Sequence, residues 1–338
     1  METTIITVSE KLENNHHIIL NDDGYNMYDL VEDFLQTKRS IQTKRSYKID
    51  LLGFLQYTKI VDIGTLKQYS IPQVGKLALN RLDSYQKLDE HSKRVLNTRT
   101  INKKAYTLSS FFQYLVNIHN YPKNPIKVFE KHTTEKHSNT VSLDRGELID
   151  LLQCQRNMYH IATGTTKYRE LRNYLILSFL SMSLRRNEVS KLQRQDYDMT
   201  AKSIKVFQKG WSYKYIPLPE AIATLLCLYQ EQQTQRGYET GYIFTPTKNN
   251  STFTLNKPIS TDYIFQLLSS ICKKCKISKN ITPHSLRKTF IEMSLTNQQD
   301  YINIANATGH STIEMIKYYD TRSKLKNNAI NSMGGVFE

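Results

Sequence analysis

The sequence predicts a mainly α chain of two domains, with one small antiparallel β-sheet in the second domain. Three observations lead there. Apolar residues recur at helical spacing from Tyr25 almost to the carboxyl end, and a polar stretch at residues 127–140 interrupts them. Two further segments, Ser203–Phe207 and Tyr213–Pro217, alternate with a period of two on either side of Lys209-Gly210, as the strands of a hairpin do. At 338 residues the chain exceeds one ordinary domain, and domains of ~100–200 residues make two the natural number.

In chain order, residues 1–24 are a polar, irregular extension that ends in the turn signal Asn21-Asp-Asp-Gly24. Residues 25–126 read as a bundle of about four helices. Tyr28, Val31, Phe34 and Leu35 share one face, and Tyr47, Leu51, Phe54 and Leu55 share another after Thr43. Val74, Leu77 and Leu82 follow a break at Pro72. Ile101, Ala105, Leu108, Phe112 and Leu115 form a long stripe after an N-cap at Asn97-Thr98. Tyr121-Pro-Lys-Asn-Pro125 ends this domain, and residues 127–140 form a linker.

The second domain, residues 141–338 with a carboxyl-terminal tail, opens where Asp144 caps a helix and Glu147 sits three positions on, in capping-box order. An apolar helix follows over Leu171–Ser183, then the hairpin, to which Tyr197 and its neighbours add a third strand. Beyond Pro219 the pattern is helical again, apart from a loop around Thr245–Pro258.

Lysine and arginine number 46 against 31 acids, a formal net charge of +15. Such an excess concentrates polyanions and gives sequence-independent affinity for phosphate backbones. Lys44, Arg45, Arg99, Lys103 and Lys104 lie on or near the polar faces of the first domain. Singly each is an ordinary solvated charge; together they make a side suited to DNA. No run of roughly 18 uncharged apolar residues is present, which argues against a membrane helix. Met1–Leu20 lack the basic start and apolar centre of a secretory signal. The expectation is a cytoplasmic protein. Cys272-Lys-Lys-Cys275 then reads as two reduced thiols on a helix, since no second Cys or His pair completes a zinc site.

The chemistry concentrates in Thr282–Tyr319, helped by Arg185 about a hundred positions upstream. Moving a phosphodiester between alcohols takes a nucleophile, cations for the five-coordinate phosphorus, and a proton for the departing oxygen. Guanidinium groups suit the second task because their planar fork grips two phosphate oxygens. His284 and Arg287 are three apart on a helix that starts at Pro283, so both reach one phosphate. His310 follows Gly309, where backbone can approach closely, and Ser311 with Glu314 has capping-box spacing for another helix. On one straight helix His310 and Tyr319 would lie ~13 Å apart, so a turn at Gly309–Ser311 has to fold the histidine back. Tyr318 adjoins Tyr319, and spacing alone does not choose between them.

Ser183-Leu184-Arg185-Arg186-Asn187-Glu188, Gln208-Lys209-Gly210, His284-Ser-Leu-Arg287 and Gly309-His310, with a tyrosine nine residues after that histidine, together resemble the tyrosine recombinase family of phage-type, Xer-like and Cre-like integrases. The likeness covers most of the chain. It implies the DNA breaking-rejoining fold, in which the first domain is a core-binding domain and the second is catalytic, and its nine-residue count selects Tyr319. Three departures stand out: Ser183 replaces a glycine, Gln208 replaces the first glycine of the lysine turn, and Lys288 replaces a frequent second histidine.

What the resemblance implies is a site-specific DNA recombinase, prokaryotic, that works on double-stranded DNA sites as a homotetramer, with its two domains clamping the duplex. Arg185, Arg287 and His310 would bind the non-bridging oxygens, Lys209 would protonate the leaving 5′-hydroxyl, and His284 would assist proton transfer at the nucleophile Tyr319. Glu188 would orient its neighbours. The 3′-phosphotyrosyl link keeps the bond energy, so neither a cofactor such as ATP nor a metal is expected. The tail from Asn327 to Glu338 would pack on a neighbouring subunit. Two other readings use the same residues: a type IB topoisomerase-like relaxing enzyme, and a catalytically inactive DNA-binding regulator of the same fold.

Overall fold

The computed structural model describes residues 25–86, 95–127, 140–208, 212–237, 241–246 and 257–320. The expected amino-terminal extension, most of the linker, Lys209 and the carboxyl-terminal tail lie outside them. Among the described residues the chain is mostly helical with one three-stranded antiparallel sheet, and it divides into two compact units, Met1–Glu135 and Lys136–Glu338.

The first unit holds α1 (Met27–Gln36), α2 (Ile41–Thr58), α3 (Ile63–Lys67), α4 (Ile71–Ser84) and α5 (Thr98–Ile118). Asn26, Ser40, Asp62 and Asn97 cap four of them by accepting a backbone N–H from the first turn. Phe34, Phe54, Phe111, Phe112, Leu51 and Leu115 fill its core. Tyr28, expected on the core face of α1, is 40% exposed: it falls on the margin of a stripe centred on Met27, Leu30, Val31 and Phe34. Helix α2 begins under Ser40, ahead of Thr43. Pro72 lies in the first turn of α4, where its missing N–H costs nothing, and so starts a helix there. Helix α3 went unforeseen because five residues are too few to show a period.

The second unit runs α6 (Arg145–Ile161), α7 (Gly164–Ser181), α8 (Arg186–Lys191), a 3-10 turn at Arg194–Asp196, then β1 (Tyr197–Asp198), β2 (Ser203–Phe207) and β3 (Tyr213–Pro217). Helices α9 (Glu220–Gln235), α10 (Thr261–Lys274), α11 (Pro283–Thr296), α12 (Tyr301–Thr308) and α13 (Glu314–Lys317) complete it. The Asp144–Glu147 capping box starts α6 as the spacing predicts. Helix α7 is central and buried nearly all round, and it begins seven residues before the apolar run at Leu171. Its early turns carry buried charge set among polar partners. Glu170 accepts from Gln155, and Arg172, 1% exposed, donates to the Thr245 carbonyl and the Tyr263 hydroxyl. Strands β2 and β3 pair with Ile204 opposite Ile216 and Val206 opposite Lys214.

Two expectations need correction. Cys275 is not a free thiol: at the end of α10 it faces Cys154 of α6, Cα to Cα 5.9 Å, and the two form a disulfide, while Cys272 is free and buried. The helices bring together two cysteines 121 positions apart, which no local spacing reveals. Ser311 does not cap α13 either. That helix starts at Glu314 behind Ile313, which is itself helical and makes no side-chain cap.

Candidate active site

Helix α11 positions the first pair. Thr282 and Ser285 cap its start reciprocally and Pro283 fixes the first turn, so His284 and Arg287 project from one side. Their environments differ. His284 keeps an exposed edge, whereas Arg287 is 2% exposed. A buried guanidinium needs acceptors for its donors. Arg287 donates to the Ser183 carbonyl at 2.8 Å and to the Thr308 carbonyl at 2.6 Å, and its Nη2 lies 3.2 Å from His310 Nε2.

Arg185 stands at the N-cap of α8. Glu188, one turn on, accepts from the Arg185 backbone N–H at 2.9 Å and from its guanidinium at 2.7 Å. The same guanidinium reaches the Gly309 carbonyl at 3.2 Å. The turn that delivers Arg185 passes through Ser183 at φ 72, the left-handed region where glycine is at ease. There the serine presents its carbonyl to Arg287.

The carboxyl end of α12 ties these parts together. Gly309 closes the helix at φ 69, and the N–H groups of Gly309 and His310 both return to the Ala305 carbonyl. The last carbonyls, the negative pole of the helix, then meet cations from three elements: Arg287, Arg185 and Lys214 of β3, which donates to Ala307 at 3.1 Å. Thr308 Oγ donates to the Ile304 carbonyl, so it accepts from His310 Nδ1 at 2.7 Å. His310 Nε2 is thereby left to accept from Arg287, which assigns a neutral ring with its proton on Nδ1. Burial, reinforced by Arg287 and Arg185, pushes this imidazole down to about 3.

Tyr319 follows α13 and is 6% exposed, packed with Ile291, Leu295, Ile304 and Ile316. Its hydroxyl lies 3.2 Å from His284 Nε2. The ring centroids of Tyr319 and His310 are 6.2 Å apart, so the chain does fold back between them. Burial raises the phenol's pKa and Arg287 partly opposes that; burial with Arg287 and Arg185 lowers that of His284. A neutral imidazole thus sits beside a protonated phenol, the pairing a general base needs. Tyr318 packs edge-on against Tyr319 and is only half-buried. A cleft of about 460 Å³ lined by Arg185, His284 and Arg287 opens over the group.

The structure therefore gathers Arg185, Glu188, His284, Arg287, His310 and Tyr319 in one place; Lys209 lies outside the described residues. Lys288 turns away and donates to the Thr140 carbonyl. Sequence reasoning missed Lys214 and Thr308. Lys214 had a signal, because the alternation of β3 points it inward beside Ile216. In the first unit Lys44 and Arg45 lie on α2, and Arg99, Lys103 and Lys104 on the neighbouring α5. Lys103 donates to Ser46, and Lys104 is held by the buried Asp50 at 2.6 Å.

Residues 150–325, more than half of the chain, match the Phage integrase family. The chain is 26% identical over 313 residues to the tyrosine recombinase XerD of Listeria innocua serovar 6a, covering 89% of this chain and 96% of that one. It is also 26% identical over 307 residues to the tyrosine recombinase XerC of Pediococcus pentosaceus, covering 88% and 94%. Among solved structures, the XerH site-specific recombinase in a post-cleavage complex with its palindromic difH substrate superposes with a TM-score of 0.65 at 18% identity, over 90% of this chain and 84% of that one. A lambda integrase dimer bound to a core site gives 0.61 at 14% identity, over 90% and 80%.

Proposed function

The chain belongs to the phage integrase family, and we propose that it is a site-specific recombinase that cuts and rejoins double-stranded DNA through Tyr319. The observation that carries this reading is the Tyr319 hydroxyl, 3.2 Å from the neutral His284 and beside the buried Arg287. The Tyr319 oxygen attacks phosphorus and its proton passes to His284; the bond from phosphorus to the 5′-oxygen breaks, leaving a 3′-phosphotyrosyl link. Lys209 supplies the proton for the leaving 5′-oxygen. Arg185, Arg287 and His310 hold the non-bridging oxygens, His310 doing so by donating from Nε2 once that nitrogen carries a proton. Glu188 holds Arg185 in place. Attack by a 5′-hydroxyl from a second site reverses the step and completes exchange, and four protomers on two sites provide the four tyrosines this requires. Lys44, Arg45, Arg99 and Lys103 would contact the phosphate backbone, while Lys104 holds the bundle through Asp50.

The test is covalent trapping. Full-length protein is mixed with a random-sequence pool of nicked duplexes that lose the short cleaved strand, then denatured and digested with trypsin. Cleavage after Lys317 and Arg322 leaves Tyr318–Arg322 attached to DNA, with the link on Tyr319. Absence of any DNA-linked peptide overturns the reading. Relaxation of a supercoiled plasmid by the same protein, without exchange between two copies of the trapped site, would favour a relaxing enzyme instead.

A further inference from the structure

Lys214 occupies a position that the strand pattern reserves for an apolar side chain. It lies on the inward face of β3, opposite Val206 and two residues before Ile216, and is 7% exposed. An ammonium in such a place is costly unless it is fully partnered. Its partners come from two elements: the Glu188 carboxylate at 3.4 Å from α8, and the Ala307 and Thr308 carbonyls at 3.1 and 3.4 Å from α12. The other charged or titratable groups facing it are Arg185 beside Glu188, Arg287 of α11, and His310 after α12. None of the chemical steps above needs it, yet it touches the supports of three groups that do the chemistry.

We propose that Lys214 is a positioning residue for strand cleavage: by bridging Glu188 to the end of α12, it sets the spacing between Arg185 and the turn that carries His310. The inference rests on the recombinase reading above. Glu188 is shared between Arg185 and Lys214. Without the lysine, the carboxylate is left with one strong partner, and the Arg185 guanidinium is drawn onto it and away from a bound phosphate. The link depends on charge. Burial, with Arg287 and Arg185 nearby, brings the Lys214 ammonium down to about 8, although Glu188 opposes this. The bridge therefore fails at mildly alkaline pH, where ionisation of Tyr319 would otherwise make cleavage faster.

The experiment takes the nicked duplex recovered from the wild-type adduct and measures single-turnover adduct formation between pH 6 and 10 for wild type, Lys214→Met and Lys214→Arg. At neutral pH the methionine variant should bind the duplex like wild type but form adduct about 100-fold more slowly, the effect expected of an ångström-scale misplacement. The arginine variant should recover most of the rate. Wild type should lose activity as pH rises through about 8, and the arginine variant, whose guanidinium stays charged, should not. A methionine variant that cleaves like wild type overturns the proposal, and so do identical alkaline profiles for wild type and Lys214→Arg. If the methionine variant does not unfold cooperatively, that second comparison decides alone. Wild type that forms no adduct instead defeats the recombinase reading itself, a separate outcome.

Discussion

The Tyr319 hydroxyl lies 3.2 Å from His284 Nε2, on a tyrosine that is otherwise sealed among aliphatic side chains of α11, α12 and α13. The neighbouring Tyr318 is half-buried and packs edge-on against the Tyr319 ring. Tyr319→Phe should therefore bind duplex DNA and form no denaturant-resistant complex, while Tyr318→Phe should still form one. Denaturing gels of the trapped nicked duplex read this directly, and the reverse pattern would move the nucleophile to Tyr318.

Arg287 makes two short bonds to carbonyls from different elements, Ser183 and Thr308, as well as its contact with His310. Lysine has the charge but not the fork, so it cannot hold both carbonyls and still offer a donor to phosphate. Arg287→Lys should slow cleavage by about 10²–10³-fold, the loss of one preorganised transition-state donor. Single-turnover rates at saturating DNA are the measurement, and a change confined to affinity would remove Arg287 from that role.

Much of this arrangement was legible in the sequence because it is written in short-range patterns. The strand limits of β2 and β3, the Asp144–Glu147 cap and the N-cap at Asn97 depend on neighbours a few residues apart. The gathering of Arg185, His284, Arg287, His310 and Tyr319 was readable only as a set, since each alone is a common residue. What escaped was long-range or too short to repeat: the Cys154–Cys275 pair, the single-turn α3, and the convergence of Arg185, Arg287 and Lys214 on the end of α12. Lys214 reads locally as one more charge in a basic chain. The alternation of β3 places it on the inward face, but only the fold brings it to Glu188 and the end of α12.

Two left-handed residues flank the site and respond oppositely to substitution. Ser183 has φ 72 and Gly309 has φ 69. An L side chain in this region costs about 1–2 kcal/mol, so Ser183→Gly should stabilise the protein by roughly 1 kcal/mol, the lower end because the backbone loses rigidity when unfolded. Gly309→Ala should cost about that strain, because the new Cβ, 2.2 Å from the Gln208 amide nitrogen, meets only the end of a flexible side chain that can swing aside. Denaturant unfolding of both variants measures the two signs. A destabilised Ser183→Gly would mean that the serine hydroxyl, 3.4 Å from Arg287 Nη1, matters more than backbone strain.

His310 gives the free protein a pH signature. Its imidazole is held down to about 3, against an ordinary value of 6.5. Between those values the unfolded chain binds a proton that the folded chain refuses, so this residue's contribution weakens as pH falls from 6.5 towards 3. His310→Gln removes the effect while leaving every carboxylate common to both proteins. The stability of wild type relative to the variant should therefore decline steadily on acidification below neutrality. Urea unfolding at a series of pH values checks this, and a difference independent of pH would mean that the ring titrates normally.

The first unit should separate charge that meets DNA from charge that holds the bundle. Lys44, Arg45, Arg99 and Lys103 lie on α2 and α5, at exposed or half-exposed positions. If each neutralises one backbone phosphate, alanine at any of them should reduce the slope of log affinity against log salt by about 0.9. Cleavage of DNA already bound should be unchanged, because none of these residues belongs to the unit that carries Tyr319. Lys104 should behave differently. Its ammonium is 2.6 Å from Asp50, whose carboxylate also accepts from the buried Thr107, and the lysine side chain is only 14% exposed. Removing it leaves a buried carboxylate short of its cation, a loss of about 3 kcal/mol, so Lys104→Ala should lower the unfolding midpoint while the salt slope stays put. A slope that falls for Lys104→Ala with no loss of stability would place that ammonium on DNA rather than on Asp50.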